Sequence, residues 1–470
     1  MIEFTGTYTD QYQLSMAQVY FLKGFQRKPA VFDYFFRALP YQGGYAVFSG
    51  LDDVLDILEN LRFNPEDIEF LQSQEIHPEF LNYLQHFQFK GTIYSTLEGN
   101  VVFPTCPVLR VEANLIEAQI IETILLNVLN FQTLIATKAR RIRDAAGNRT
   151  LIDFGLRRAQ GPGGYYASRA SIVGGFNATS NVRAGRDFAI PVSGTMAHSF
   201  IQSYESELQA FQDYAECWPE HCVLLVDTYS TLTSGVPNAI KVAKQMEKRG
   251  HQLKGIRLDS GDLAWLAKRA RQMLDDAGLP YVSIIASNQL DEFVIKNLIE
   301  QEAPIDAFGV GTNLAIGSPD GALDGVYKLA LLDGKPRIKL SDTYAKITLP
   351  SQKQVLRILE KDGSYQGADM ITLVSEKNSN VMHHPFEEEK SFAIKSFEAE
   401  PLLQKVMANG KRLFPRQSLV ELKEFSQRCF DNLPGEYKRF VNPHLYKVGI
   451  STNLKQLRDQ LIIQYKRSQV

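Results

Sequence analysis

The stretch Gly255-Ile256-Arg257-Leu258-Asp259-Ser260-Gly261-Asp262-Leu263 holds the change of pattern on which the fold turns. An apolar strand runs into Arg257 and Leu258 and stops at Asp259-Ser260-Gly261-Asp262. Leu263, Leu266, Ala267, Ala270 and Leu274 then recur at helical spacing. In parallel α/β folds the carboxyl ends of strands face the ligand, so two acids and an arginine at one such corner point to chemistry.

The same grammar repeats on both sides. Strands are expected at Thr150–Phe154, Phe188–Val192, Cys222–Val226, Leu253–Leu258, Val282–Ala286 and Ile305–Phe308, with a weaker one at Phe176–Ser180. Amphipathic helices are expected at 196–214, 236–249, 262–277 and 289–300. Short β-rich runs separated by helices predict a parallel sheet with crossover helices. Such units closing on themselves make an irregular (β/α) barrel; an open doubly wound sheet is the alternative. No G-x-G-x-x-G follows a strand, which weakens a dinucleotide-binding fold.

Further out, the pattern is α+β. Thr9 or Asp10 can cap a helix through Val19. A strand at Val31–Phe36, helices at 50–61, 65–73 and 78–86, and strand pieces from Gly91 to Val111 follow. A helix from Leu115 to Ala145 has a wide apolar stripe and a basic end (Lys138, Arg140, Arg141, Arg143), expected to be solvated. After 325, strands are expected at Val326–Leu332, Pro336–Leu340, Val355–Leu359 and Met370–Val374, and helices at 416–433 and 453–466. Glu376–Glu400 reads as loop-rich, and Gly161-Pro162-Gly163-Gly164 as a flexible loop. The expected domains are 1–115, an N-terminal α+β unit; 116–344, the α/β barrel; and 345–470, a tail that completes the first unit in space.

Composition sets bounds. At 470 residues the chain has room for two or three domains of roughly 150 residues each. A net charge of −2 gives no bulk field for nucleic acid or membrane. No secretory pattern and no long uninterrupted apolar run is apparent. Cys106, Cys217, Cys222 and Cys429 are too scattered for a disulfide framework. A reduced, cytoplasmic enzyme is expected.

The strand ends carry the functional signal. Gly155-Leu156-Arg157-Arg158, Ser193 through His198, Asp227-Thr228-Tyr229-Ser230, Asp259-Ser260-Gly261-Asp262, Ser287-Asn288 and Gly309-Val310-Gly311-Thr312-Asn313 would share one rim. Alone, each is a common turn or cap. Together they suit an anionic substrate with a divalent cation. Asp227 and Asp259 can hold Mg²⁺ directly or through water or substrate oxygens. Gly309–Asn313 can present backbone amides to a phosphate. Arg157 and Arg257 suit bidentate recognition of carboxylate or phosphate, and His198 can be a base, an acid or a nucleophile. No G-x-x-x-x-G-K-[ST] is present, so no P-loop holds a nucleotide.

Thr9–Gln13, Asp153–Gly161, Gly194–Phe200, Val226–Tyr229, Arg257–Asp262 and Gly309–Thr312 occur in one order that resembles nicotinate phosphoribosyltransferases. The resemblance implies a type II phosphoribosyltransferase, a homodimer with active sites shared between subunits. It implies transfer from phosphoribosyl pyrophosphate to nicotinate, giving nicotinate mononucleotide and pyrophosphate, coupled to ATP hydrolysis with Mg²⁺. Residue by residue, His198 matches the histidine that ATP phosphorylates. Tyr12, reaching across from the partner, and Phe154 match the aromatic pair around the pyridine ring. Arg157 matches the arginine beside the carboxylate. Asp227, Asp259 and Arg257 match the groups near ribose, metal and pyrophosphate, and Gly311 and Thr312 the 5′-phosphate loop, with Gly309 beside them. Lys339 and Lys346 fall near the phosphates. Nicotinamide phosphoribosyltransferases carry an acid where this chain has Ser180, and an acid there would repel a carboxylate. Quinolinate phosphoribosyltransferases need no ATP, which sets them against the His198 motif. A silent scaffold would lack His198 or an acid corner.

Overall fold

A computed structural model describes residues 3–341, 346–376, 379–387, 389–394 and 398–467. The chain divides into two compact units: residues up to Thr137 with those from Ala322 onward, and Lys138–Gly321. Both divisions fall inside the span 116–344. The first lies within the helix Glu122–Ala146, which runs on after a break at Ile121 from the helix Leu115–Ile120.

In the first unit both chain ends share a sheet. Its seven strands run in the order Lys335–Pro336, Gly325–Leu332, Pro29–Phe36, Leu109–Asn114, Thr92–Ser95, Gln404–Ala408, Lys411–Arg412. Pro29–Phe36 pairs antiparallel with Leu109–Asn114 on one side and Gly325–Leu332 on the other. Phe32, Tyr34, Phe80, Ile93 and Leu109 lie in its core. A second sheet of six strands is built from the tail, centred on Lys353–Leu359, Tyr365–Leu373 and Lys447–Ser451. Glu376–Glu400, expected as loop, contributes Val381–His383 and Ser391–Ala393 to it. The helix after Asp10 forms as Gln11–Leu22 but with no side-chain cap; Asp10 instead accepts from Thr123 Oγ1 at 3.0 Å. Leu115–Ala146 is long and apolar enough to cross a membrane by length and composition, yet 72% of its most apolar window is buried.

The second unit is α/β. Its parallel sheet orders Ala178–Thr179, Thr150–Asp153, Ala307–Val310, Ser283–Ser287, Gly255–Leu258 and Val223–Leu225. Leu224, Ile256, Ile284 and Phe308 are fully buried. The hydrogen-bonded ladder among the described residues is an open run of these strands. Phe188–Val192 is not a strand. A helix occupies Val182–Phe188, Ala189 turns left-handed, and one parallel bridge joins Val192 to Thr179. Helix 196–214 is two helices, His198–Gln202 and Glu207–Cys217, the second capped by Ser206 Oγ. Gly161–Gly164 is no free loop, since Pro162 opens the helix Pro162–Val173. The basic helix end is also corrected: Lys138, Arg140 and Arg141 are each 1% exposed, and Lys138 and Arg141 pair with the buried Glu292.

Candidate active site

The parallel register sets the site. Ala286 lies beside Leu258, Ser287 beside Gly309, and Val310 beside Asp153, so the corners after these strands share one edge of the sheet. Arg257, on a fully buried strand, is held by three partners. It donates from Nε to Ser287 Oγ at 2.8 Å, from one terminal nitrogen to Thr195 Oγ1 at 3.2 Å, and from the other to Asp259 Oδ1 at 2.6 Å. Its guanidinium carbon sits 5.3 Å from the centroid of the Phe154 ring. A cation fixed this way loses little freedom when it meets a ligand.

Asp259 joins the groups. Burial alone would raise its carboxyl, but the hydrogen bond from Ser287, the Arg257 guanidinium and His198 hold it below the usual carboxylate range. His198 opens the helix His198–Gln202; its Nδ1 lies 3.0 Å from Thr228 Oγ1 and its Nε2 3.8 Å from Asp259 Oδ2. Asp227 Oδ2 accepts from the Asp259 amide at 2.8 Å and from Ser260 Oγ at 2.6 Å. Its Oδ1 is buried and has no hydrogen-bond partner among the described residues. A buried carboxylate oxygen left bare is costly unless something fills the position. Asp262 caps the next helix by accepting from the Trp265 amide at 3.1 Å, which is its structural role.

Arg157, Arg158, Arg257 and Asp259 share one cleft with Ser287, Asn288, Gly311 and Thr312. Arg157 is exposed, and no protein group among the described residues pairs with it. Gly311 precedes the short helix Thr312–Ala315, and Asn313 Nδ2 donates to the carbonyls of Gln289 at 3.3 Å and Leu290 at 3.1 Å. That bond braces a loop in which Asn288 (φ 83°) and Gln289 (φ 48°) are both left-handed. Such consecutive non-glycine residues are held only where surroundings enforce them, as at ligand sites. Gly309 has a different local reason: a Cβ there would stand 2.3 Å from the Phe154 ring, so the missing side chain seats that ring.

Of the expected residues, Phe154, Arg157, Ser180, His198, Asp227, Arg257, Asp259, Gly309, Gly311 and Thr312 all belong to this unit. Tyr12 and Lys339 belong to the other. Tyr12 is 50% exposed on the helix Gln11–Leu22. Lys339 is exposed, its amide donating to Thr348 Oγ1 at 2.9 Å. Thr195, Thr228 and Ser287, which hold the charged groups, were not singled out by sequence. Their only signal was their place in the strand-end corners.

Known proteins resemble this chain along most of its length. The family model for the nicotinate phosphoribosyltransferase N-terminal domain matches residues 7–130, that for the family itself 150–362, and that for the C-terminal domain 352–458. A nicotinate phosphoribosyltransferase of Bacillus subtilis is 44% identical, with 98% of this chain and 95% of that protein covered. The chain belongs to the nicotinate phosphoribosyltransferase family. Another family member, from Caenorhabditis elegans, is 36% identical over 97% of this chain and 93% of its own. The crystal structure of human nicotinic acid phosphoribosyltransferase superposes with a TM-score of 0.87 at 31% identity, covering 96% of this chain and 99% of that one. Family membership also accounts for the two-ended first unit, since the N- and C-terminal domain models both fall on it.

Proposed function

We propose that this chain catalyses ATP-coupled transfer of a phosphoribosyl group to nicotinate. Nicotinate and 5-phosphoribosyl 1-pyrophosphate would give nicotinate mononucleotide and pyrophosphate, the first step of NAD salvage from nicotinate. ATP would be hydrolysed through phosphohistidine at His198, placing the enzyme in the ligase class. The observation that carries the reading is the convergence of His198, Asp259, Arg257 and Asp227 beside the Phe154 ring in a member of this family.

In the transfer, the pyridine nitrogen bonds to the ribose anomeric carbon as the bond from that carbon to pyrophosphate oxygen breaks. Charge moves onto the leaving group, so positioning and electrostatics dominate. Arg157, unpaired among the described residues, meets the nicotinate carboxylate, and Ser180 puts no negative charge against it. Phe154 stacks on one face of the ring. Tyr12, half exposed, is available to a second copy, consistent with a homodimer that shares sites. Gly309, Gly311, Thr312 and Lys339 are the proposed phosphate contacts. Asp227 and Asp259 would hold Mg²⁺, directly or through water or substrate oxygens, and the bare Oδ1 of Asp227 fits that role. Among the described residues no cluster of His, Cys, Asp and Glu is large enough to hold a metal by itself, so substrate oxygens would complete the shell. When bound, Mg²⁺ would neutralise the departing pyrophosphate. Free Cys106, Cys217, Cys222 and Cys429 support a reduced, cytoplasmic setting.

Incubation with nicotinate, phosphoribosyl pyrophosphate, Mg²⁺ and γ-labelled ATP tests the coupling. Acid-labile label on the wild type and none on His198→Ala is the expected result; equal labelling of both would overturn it.

A further inference from the structure

We infer that Asp153 is a positioning residue for the pyridine subsite, tying the segments that carry Phe154, Arg157 and Ser180 into one pocket. This rests on the nicotinate reading above. Asp153 is 1% exposed. Its Oδ1 accepts from the Gly155 amide at 2.7 Å, and its Oδ2 accepts from Ser168 Oγ and Thr179 Oγ1, each at 2.7 Å. Its own carbonyl accepts from the Ser180 amide at 2.8 Å. One residue therefore fastens the turn bearing Phe154 and Arg157, the helix Pro162–Val173, and the strand Ala178–Thr179 that leads to Ser180.

These three donors to the carboxylate are all neutral. Burial pushes the carboxyl up, against the hydrogen bonds from Ser168, Thr179 and the Gly155 amide. A buried carboxylate kept at this cost, with both oxygens occupied and out of reach of solvent, is organised for geometry. Asparagine can reproduce that geometry. Its oxygen would accept from Gly155, while its amide donates to the Ser168 and Thr179 oxygens. Ser168 Oγ already lies 3.0 Å from the Gly164 carbonyl and 3.3 Å from Thr179 Oγ1, so each hydroxyl has another acceptor.

Initial rates and ATP hydrolysis are measured on Asp153→Ala, Asp153→Asn, Ser168→Ala and Thr179→Val, with folding checked by thermal melts. Asp153→Ala is expected to raise KM for nicotinate by about tenfold or more, since small misplacements of bound groups are costly. KM for phosphoribosyl pyrophosphate and nicotinate-independent ATP hydrolysis should stay within about twofold. Asp153→Asn should recover most of the nicotinate KM, and the single hydroxyl variants should fall between. Equal loss for both substrates, or no recovery in Asp153→Asn, would overturn the inference, and the hydroxyl variants decide it if Asp153→Ala does not fold. A wild type that makes no nicotinate mononucleotide would instead sink the underlying reading.

Discussion

Asp259 is the residue through which the site's charges meet, and its hydrogen bonds set a pH dependence. Its folded carboxyl lies below the ordinary value of about 3.9. A depressed carboxylate contributes stability that is present above the unfolded value and lost as pH falls through the folded one. The stability gap between wild type and Asp259→Asn should therefore be constant near neutrality and shrink below about pH 4. Acid unfolding curves of the two proteins check this; a gap that widens in acid would contradict it. His198→Ala should lose ATP hydrolysis while keeping slow, ATP-independent transfer, and unchanged ATPase activity would sink the assignment. Arg157→Ala should raise KM for nicotinate roughly 10- to 100-fold, matching the roughly 1.5–3 kcal/mol of a charge-assisted hydrogen bond. Equal damage with nicotinamide would count against its role.

At the scale of elements, strand-to-helix corners were legible in the sequence because a βα unit is local. The apolar run, the polar turn and the helical spacing lie within a few tens of residues, and parallel register then brings the turns together. Long-range polar pairing was not legible. Lys138 and Arg141 looked like a solvated helix end because their partner Glu292 lies on a helix distant in sequence. Phe188–Val192 failed as a strand because Asn181 caps a helix ahead of it, its side chain accepting from the Ala184 amide at 3.2 Å. Two predictions follow from these elements. Glu292→Ala removes the buried carboxylate that pairs with both Lys138 and Arg141 and should cost about 3–5 kcal/mol in urea unfolding; a cost below about 1 kcal/mol, the range of exposed pairs, would contradict the buried reading. Gly309→Ala drives a methyl group into the Phe154 ring and should weaken nicotinate by about tenfold without abolishing folding. An unchanged KM would show that the ring does not set the subsite.

For the whole molecule, the first unit gathers both ends of the chain, which the matching character of the two ends had suggested. The central unit is α/β, built on a parallel run of six strands. Tyr12 and Lys339 belong to the first unit. If sites are shared between two copies, a 1:1 exchange mixture of His198→Ala and Tyr12→Ala subunits should recover about a quarter of wild-type ATP-coupled activity, because about half the dimers are hybrids and each hybrid contains one intact site of two. No recovery would place both residues in one chain's site. The central claim, nicotinate as acceptor with ATP coupling, is tested most directly by one product assay. Phosphoribosyl pyrophosphate and Mg²⁺ are supplied with nicotinate, nicotinamide or quinolinate, each with and without ATP. Nicotinate should give its mononucleotide, with ATP consumed and product increased when ATP is present. Product from nicotinamide or quinolinate in preference to nicotinate, or a nicotinate reaction indifferent to ATP, would contradict the claim.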